Sequence, residues 1–275
     1  MRGFRAVFLR NITNFFRDRM RAVFSLLMSF LFMFVFSFAM KGALPGVGRP
    51  IDYLVAGVII MAVFQQALNN STDILNDLSS GFMKEIIVSP VPRWQIAVGQ
   101  ICSSAAIACI QGLIIMAAGV LLGLRITIPV FFAMAGIMIT AGLTFASFGL
   151  FLATVSRNSS TFQIVASVVV MPLTFLSGAY IPVTVMPAFL NGIILLNPLT
   201  WITAMFRSVV LGMGRVPAET LVRDGIAFTF RGHTLTPASG FFFVVLFGLL
   251  FFFLCVRKFG SADFSSVKVA LRHHH

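Results

Sequence analysis

The chain has 275 residues, of which 59% are hydrophobic and only 10% charged, with a mean hydropathy of +0.99. Soluble domains carry about 25% charged residues, so this composition excludes a soluble globular enzyme and describes a polytopic, all-α integral membrane protein. The net charge of +12 is read as basic residues flanking spans on the cytoplasmic side and not as a nucleic-acid footprint. Cys102, Cys109 and Cys255 lie inside apolar runs without CxxC spacing, which argues against metal or disulfide roles. His273, His274 and His275 look like the stub of a purification tag, leaving residues 1–272 as a single transmembrane domain.

Residues 1–21 place Phe4, Phe8 and Phe15 at helical spacing, with Arg5, Arg10 and Arg17 between them. The pattern predicts an amphipathic helix in the headgroup plane, apolar side in the lipid and arginines toward anionic heads. The basic excess puts the N-terminus in the cytoplasm. Residues 22–40 are uncharged and form the first expected span, enough for a hydrocarbon core of about 30 Å. A turn rich in Pro and Gly (Pro45, Gly46, Gly48) leads to the second, 51–70.

The polar stretch 71–95 is a cytosolic elbow. Within it Gly81, Phe82, Met83, Lys84, Glu85, Ile86 and Ile87 read as one short amphipathic piece, stopped by Ser89-Pro90, because the residue before a proline is pushed out of the α region. Spans three and four are 96–124 and 130–155, the latter rich in the small residues that let helices approach closely in lipid. From Asn158 to Phe206 no residue is charged, and Pro172, Pro182, Pro187 and Pro198 break the run. The reading is a fifth span over 160–179 followed by a re-entrant hairpin over 180–206 that dips in from the outer face. Two complete spans, seven in all, is the competing layout. The last span is 238–256, so that six spans put both termini in the cytoplasm.

No GxxxxGK[ST] phosphate loop and no HExxH occur, and no carboxylate cluster lies within a span. Gln100, Ser103, Ser104 and Gln111 come nearest to a polar stripe, and they are read as hydrogen-bonded stitches between helices.

Six spans, the basic amphipathic N-terminus and the elbow SSGFMKEIIVSPVPRWQIAVGQ resemble the type-2 permeases of ATP-binding-cassette exporters, in particular the daunorubicin-resistance branch of multidrug permeases. The stretch SGAYIPVTVMPAFLNGIILLNPLTWITAMFRSVVLG is similar to that family's signature after the fifth span. The resemblance implies a half-transporter of a bacterial inner membrane that dimerises, with itself in the simplest case, and sits on two ATPase subunits. ATP and Mg would be held by the partner, with no cofactor or metal on this chain. Gly81 to Ile87 with Ser89 and Pro90 would be the coupling helix, Lys84 and Glu85 facing the ATPase. Tyr180, Pro182, Pro187, Asn197, Pro198, Thr200 and Arg207 would shape the outer hairpin. The implied function is export of amphipathic or lipid-like compounds, as in antibiotic resistance. The alternatives are a glycan or glycolipid cargo and, from another class, a stand-alone channel or membrane enzyme.

Overall fold

The computed structural model describes residues 2–40, 50–79, 92–156, 158–180, 182–230 and 233–261. Its long helices are α1 (Arg2–Arg17), α2 (Arg19–Met40), α3 (Pro50–Asn69), α4 (Thr72–Ser79), α5 (Arg93–Leu121), α6 (Ile128–Val155) and α7 (Ser159–Leu176). Short α8 (Asn191–Leu196) and α9 (Pro198–Val210) follow, then α10 (Ala218–Arg223), strands β1 (Phe228–Phe230) and β2 (His233–Leu235), and α11 (Pro237–Ser261). The two strands pair antiparallel, with Thr229 opposite Thr234.

Among the described residues five helices are long and apolar enough to cross a membrane: α3 with α4, then α5, α6, α7 and α11. Helix α2 has 22 residues, about 33 Å of helix at 1.5 Å per residue, with an apolar run over Ala22–Val35. Helix α3 is apolar all round and accordingly sits in the centre. Of its span window 89% is buried, against 17% for α7 and 22% for α11. The latter two leave most of their surface uncovered by the rest of the described chain.

Local chemistry explains the boundaries. Helix α5 begins at Arg93, earlier than the expected 96, because Pro92 already sits at its N-cap. It ends at Leu121, short of the expected 124, in a left-handed turn at Gly123 (φ 107°). There the Leu124 amide donates to the Gly119 carbonyl at 2.9 Å and the Gly123 amide to that of Val120 at 3.0 Å, the six-to-one and five-to-two bonds of a Schellman end. Helix α7 starts where Asn158 accepts from the Thr161 amide at 2.7 Å. The first part of the elbow is helical, as α4, rather than an open loop.

The stretch 180–206 is sharply broken. Ala188–Leu196 and Pro198–Val210 are bent by 87° at Asn197. The chain leaves α7 near Ala179 and comes back to the same level at Arg207, whose Nη2 lies 2.7 Å from the Ala179 carbonyl oxygen. Helix α11 starts at that end too, since Gly240 leaves room for the Trp201 indole, 1.8 Å from where a Cβ would stand. Both ends of the segment thus lie against the same end of the bundle.

Gly57 on α3 permits the same convergence, because a Cβ there would stand 2.4 Å from the Ala179 carbonyl oxygen. Backbone cannot swing aside as a side-chain tip can. Gly57→Ala is expected to cost about 1–3 kcal/mol of overpacking, read as a drop of several degrees in the thermal midpoint of the detergent-solubilised chain. An unchanged midpoint would show that α3 and the end of α7 do not meet.

Candidate functional site

Two polar clusters at opposite ends of α3, and a groove between them, hold the residues that chemistry would need. The first closes the end of α7. The last carbonyls of a helix lack intrahelical donors, and inside an apolar slab no water replaces them. Helix α9 supplies the donors. Asn197 caps α9 by accepting from the Leu199 amide at 2.9 Å and donates through Nδ2 to the Leu173 carbonyl at 2.8 Å. Thr200 Oγ1 donates to Leu176 at 3.2 Å. Arg207 donates through Nη1 to Gly178 at 2.8 Å and through Nη2 to Ala179. Its Nε points at the Tyr53 carbonyl on α3, 3.4 Å away, and its guanidinium carbon lies 3.5 Å from the centre of the Tyr53 ring.

Arg207 is 2% exposed. Among the described residues its charge meets carbonyl dipoles and an aromatic face: the negative end of α7 takes the place of a counter-ion.

Of the other residues expected in the hairpin, Pro198 opens α9 and is buried. Pro182 and Pro187 precede the short 3-10 turns Val183–Val185 and Ala188–Leu190. Pro187 is exposed. Tyr180 is buried and stacks on Phe32 of α2 at 5.3 Å. Trp201, not singled out in the sequence, donates to the Leu195 carbonyl at 2.8 Å and meets Phe228 of the strand pair edge-on at 5.1 Å.

The second cluster lies at the other end of α3, around α1. Gly3, Val7, Asn11 and Phe15, each four residues on from the last, form its buried face. Asn11 Nδ2 donates to Gln100 Oε1 at 2.6 Å and Ser103 Oγ at 2.8 Å on α5, and Gln100 Nε2 donates to the Asn70 carbonyl at 3.1 Å. These stitches match the reading of Gln100 and Ser103 as hydrogen-bonding partners between helices.

The expectation for α1 is corrected in part. Phe4 and Phe8 stack on each other at 5.9 Å and are half-buried, whereas Phe15 faces protein, leaving Leu9 and Phe16 exposed. Arg5 and Arg17 are exposed. Arg10 is not directed at lipid: it makes a two-pronged pair with Asp77 of α4, one prong Nη1 to Oδ2 at 2.7 Å. The hydrogen bonds that Arg10 donates to Asp77 raise its pKa above the ordinary value, against the opposing effect of burial, and the charges of Asp77 and Asp73 add to the rise. Ser159 of α7 also holds α4, donating to Asn76 Oδ1 at 2.9 Å. The elbow residues Gly81, Phe82, Met83, Lys84, Glu85, Ile86, Ile87, Ser89 and Pro90 lie outside the described residues.

Between the clusters a cavity of about 280 Å³ opens between α2 and α3. Its walls include Phe24, Met28 and Met61, and its polar lining includes Gln65, Gln66 and Gln111. No charged side chain belongs to the described lining.

Two outcomes are expected from the clusters. Arg207→Met leaves buried carbonyls without donors and should cost about 2–4 kcal/mol, seen as loss of monodisperse protein or a sharply lower thermal midpoint; a midpoint equal to wild type would remove Arg207 from its role. A double-mutant cycle of Arg10→Ala and Asp77→Ala should return a coupling of about 0.5–1 kcal/mol, and strict additivity would dissolve the pair.

The family model described as "ABC-2 type transporter" matches residues 2–211, which take in α1 through α9 and leave out α11. The Inner membrane transport permease YadH of Escherichia coli K12 is 26% identical over 172 residues, 62% of this chain and 66% of that protein. The Probable multidrug ABC transporter permease YbhR of the same organism is 27% identical over 144 residues, 51% of this chain and 38% of its own length. The Putative transport permease ycf38 of Cyanophora paradoxa is 29% identical over 157 residues, 55% of this chain and 53% of its own. The chain thus spans just under two thirds of YadH and less of the others. With a match that takes in both latched ends of α3, the chain belongs to the ABC-2 type transporter family.

Proposed function

We propose that this chain is the transmembrane permease subunit of an ATP-driven exporter of amphipathic or hydrophobic small molecules, working as a dimer on two copies of a separate ATP-binding subunit. The observation that carries the reading is the family match over residues 2–211. The name of YbhR, a probable multidrug permease, supports the cargo class, as does a cavity walled by Phe and Met, side chains that adapt to varied apolar shapes. ATP and Mg belong to the partner.

The orientation follows from charge. Arg5, Arg10 and Arg17 lie on α1, Arg93 opens α5, and Arg257 and Lys258 fall near the end of α11; on this reading the end that carries α1 and α4 is cytosolic, and both termini are on that side. The Arg207 end is then outer, and the membrane is the bacterial inner membrane.

The power stroke enters through residues 81–90. Helix α4 leads directly into that segment and is fixed to α1 by Arg10–Asp77 and to α7 by Ser159–Asn76. A displacement of the coupling segment therefore passes as one movement to α1, α3 and α7 rather than being lost in a loose loop. At the far end α9 grips α7 and α3 through Arg207, so that end is the pivot about which the movement turns. Phe82, Met83, Ile86 and Ile87 would fill the groove of the ATPase, with Lys84 and Glu85 at its rim.

The test is association. With a co-expressed ATP-binding-cassette ATPase that the wild-type chain co-purifies, Phe82→Ala and Glu85→Arg should each reduce co-purification and ATPase stimulation about fivefold while leaving the membrane-inserted chain intact. Undiminished association and stimulation in both variants would remove the coupling role, and cargo moved uphill by the purified chain alone would overturn the whole reading.

A further inference from the structure

The amide of Gln111 carries an inference beyond membership of the family. Gln111 lies within α5, 3% exposed, and its Oε1 has no hydrogen-bond partner among the described residues. Two neighbouring polar groups of the cavity wall have partners: Gln66 Nε2 donates to Asn70 Oδ1 at 2.8 Å, and half-buried Ser29 Oγ to the Ser25 carbonyl at 3.0 Å; the other unpartnered buried hydroxyls among the described residues, of Tyr53, Ser71 and Thr174, lie outside the cavity lining. Buried acceptors are rarely left empty, since each costs the full desolvation of the group. Gln111 lines the cavity between α2 and α3, where a bound molecule would restore what burial removed. Which atom of the amide faces inward is interchangeable by rotation, but one of them accepts.

We infer that this cavity is a binding site for a small, neutral, largely apolar molecule that presents a hydroxyl or N–H donor to Gln111. The inference rests on the export reading only for its biological use. Neutrality follows from the lining: the polar groups are amides and hydroxyls, with no charged side chain among the described residues, and an ion there would lose its hydration without compensation. A phospholipid is excluded on the same ground, because its phosphate would find no cation. The apolar body is set by Phe24, Met28, Phe32 and Met61. The size is that of a one- or two-ring compound, since the volume of about 280 Å³ falls at the small end of ligand pockets.

The experiment uses the full chain in lipid nanodiscs and two fluorescent probes that differ only in the donor, 2-naphthol and 2-methoxynaphthalene. Binding above lipid partition is expected to favour 2-naphthol about five- to tenfold, the worth of one net hydrogen bond. Gln111→Leu should abolish that preference while leaving 2-methoxynaphthalene within twofold. Its thermal midpoint should hold or rise, because an orphaned polar group is replaced by an apolar one of similar size. Ser29→Phe, which fills the cavity from the α2 side, should remove saturable binding of both probes. Equal affinity of the two probes for wild type, or a naphthol preference that survives Gln111→Leu, overturns the site and gives Gln111 to a bound water instead. Reconstitution with the ATPase separates the two claims. If 2-naphthol binds as expected and is not moved, the cavity stands and the export reading fails; if transport is seen but is indifferent to Gln111→Leu and Ser29→Phe, the cavity falls alone.

Discussion

The structure depends on one constraint: a helix that ends inside an apolar slab must have its last carbonyls met by donors from elsewhere. Helix α7 carries Pro172 in its body, and its chain turns away at Gly178, where φ is 77°. The exposed carbonyls at Leu173, Leu176, Gly178 and Ala179 are met by Asn197, Thr200 and Arg207 in succession along α9. The donors run alongside the helix end that they cover. The course of 182–206 is therefore tied to how α7 ends. A charge at such a depth is costly in isolation; here the helix dipole and the Tyr53 ring offset that cost, and removing either partner would expose it.

The opposite end follows the same logic with weaker groups. Asn11, Gln100, Ser103 and the Asn70 carbonyl form a chain of neutral hydrogen bonds across α1, α5 and the end of α3. Neutral stitches suit this position. Each is worth about 1 kcal/mol or less in a membrane protein, enough to fix register and little enough to allow the elements to slip. Arg10–Asp77 is partly exposed, its side chains 30% and 15% accessible, so solvent weakens it and it acts as a positional pin more than as a source of stability.

Much of this was legible in the chain. Uncharged runs marked α3, α5, α6, α7 and α11 because a bilayer admits few alternatives to a helix, and Asn197-Pro198 marked a break because the pair is a cap followed by a residue fit only for the first turn. Arg207 stood out as an ionisable residue after a long uncharged stretch. Its partners did not, since backbone carbonyls leave no trace in residue identity. Arg10 was assigned to lipid because periodicity reports which side of a helix is polar, not what lies opposite; Asp77 is 67 residues away. The divided face of α1 escaped for a related reason: a stripe repeating every four residues and one repeating every three or four overlap in sequence, and only packing against α5 chose Val7, Asn11 and Phe15. The short β1–β2 pair, three residues a side, lies below what alternation can signal.

The two ends differ in how firmly they are held, and that difference gives the bundle a direction. At the Arg207 end, a buried cation with several carbonyl bonds grips α7, α9 and α3 as one body. At the α1 end, the same α3 is tied by neutral bonds and a half-solvated pair. Under the proposed coupling, a force applied near α4 would yield first where the ties are weak and turn about the end where they are strong. Helix α3, buried along nearly all its length, is the lever, and the cavity beside it lies between pivot and handle. Side chains on the α2–α3 seam move relative to one another in any such rotation, whereas those packed around Arg207 move together. A site that must change shape belongs on the seam, and a charged residue that must never be exposed belongs at the pivot.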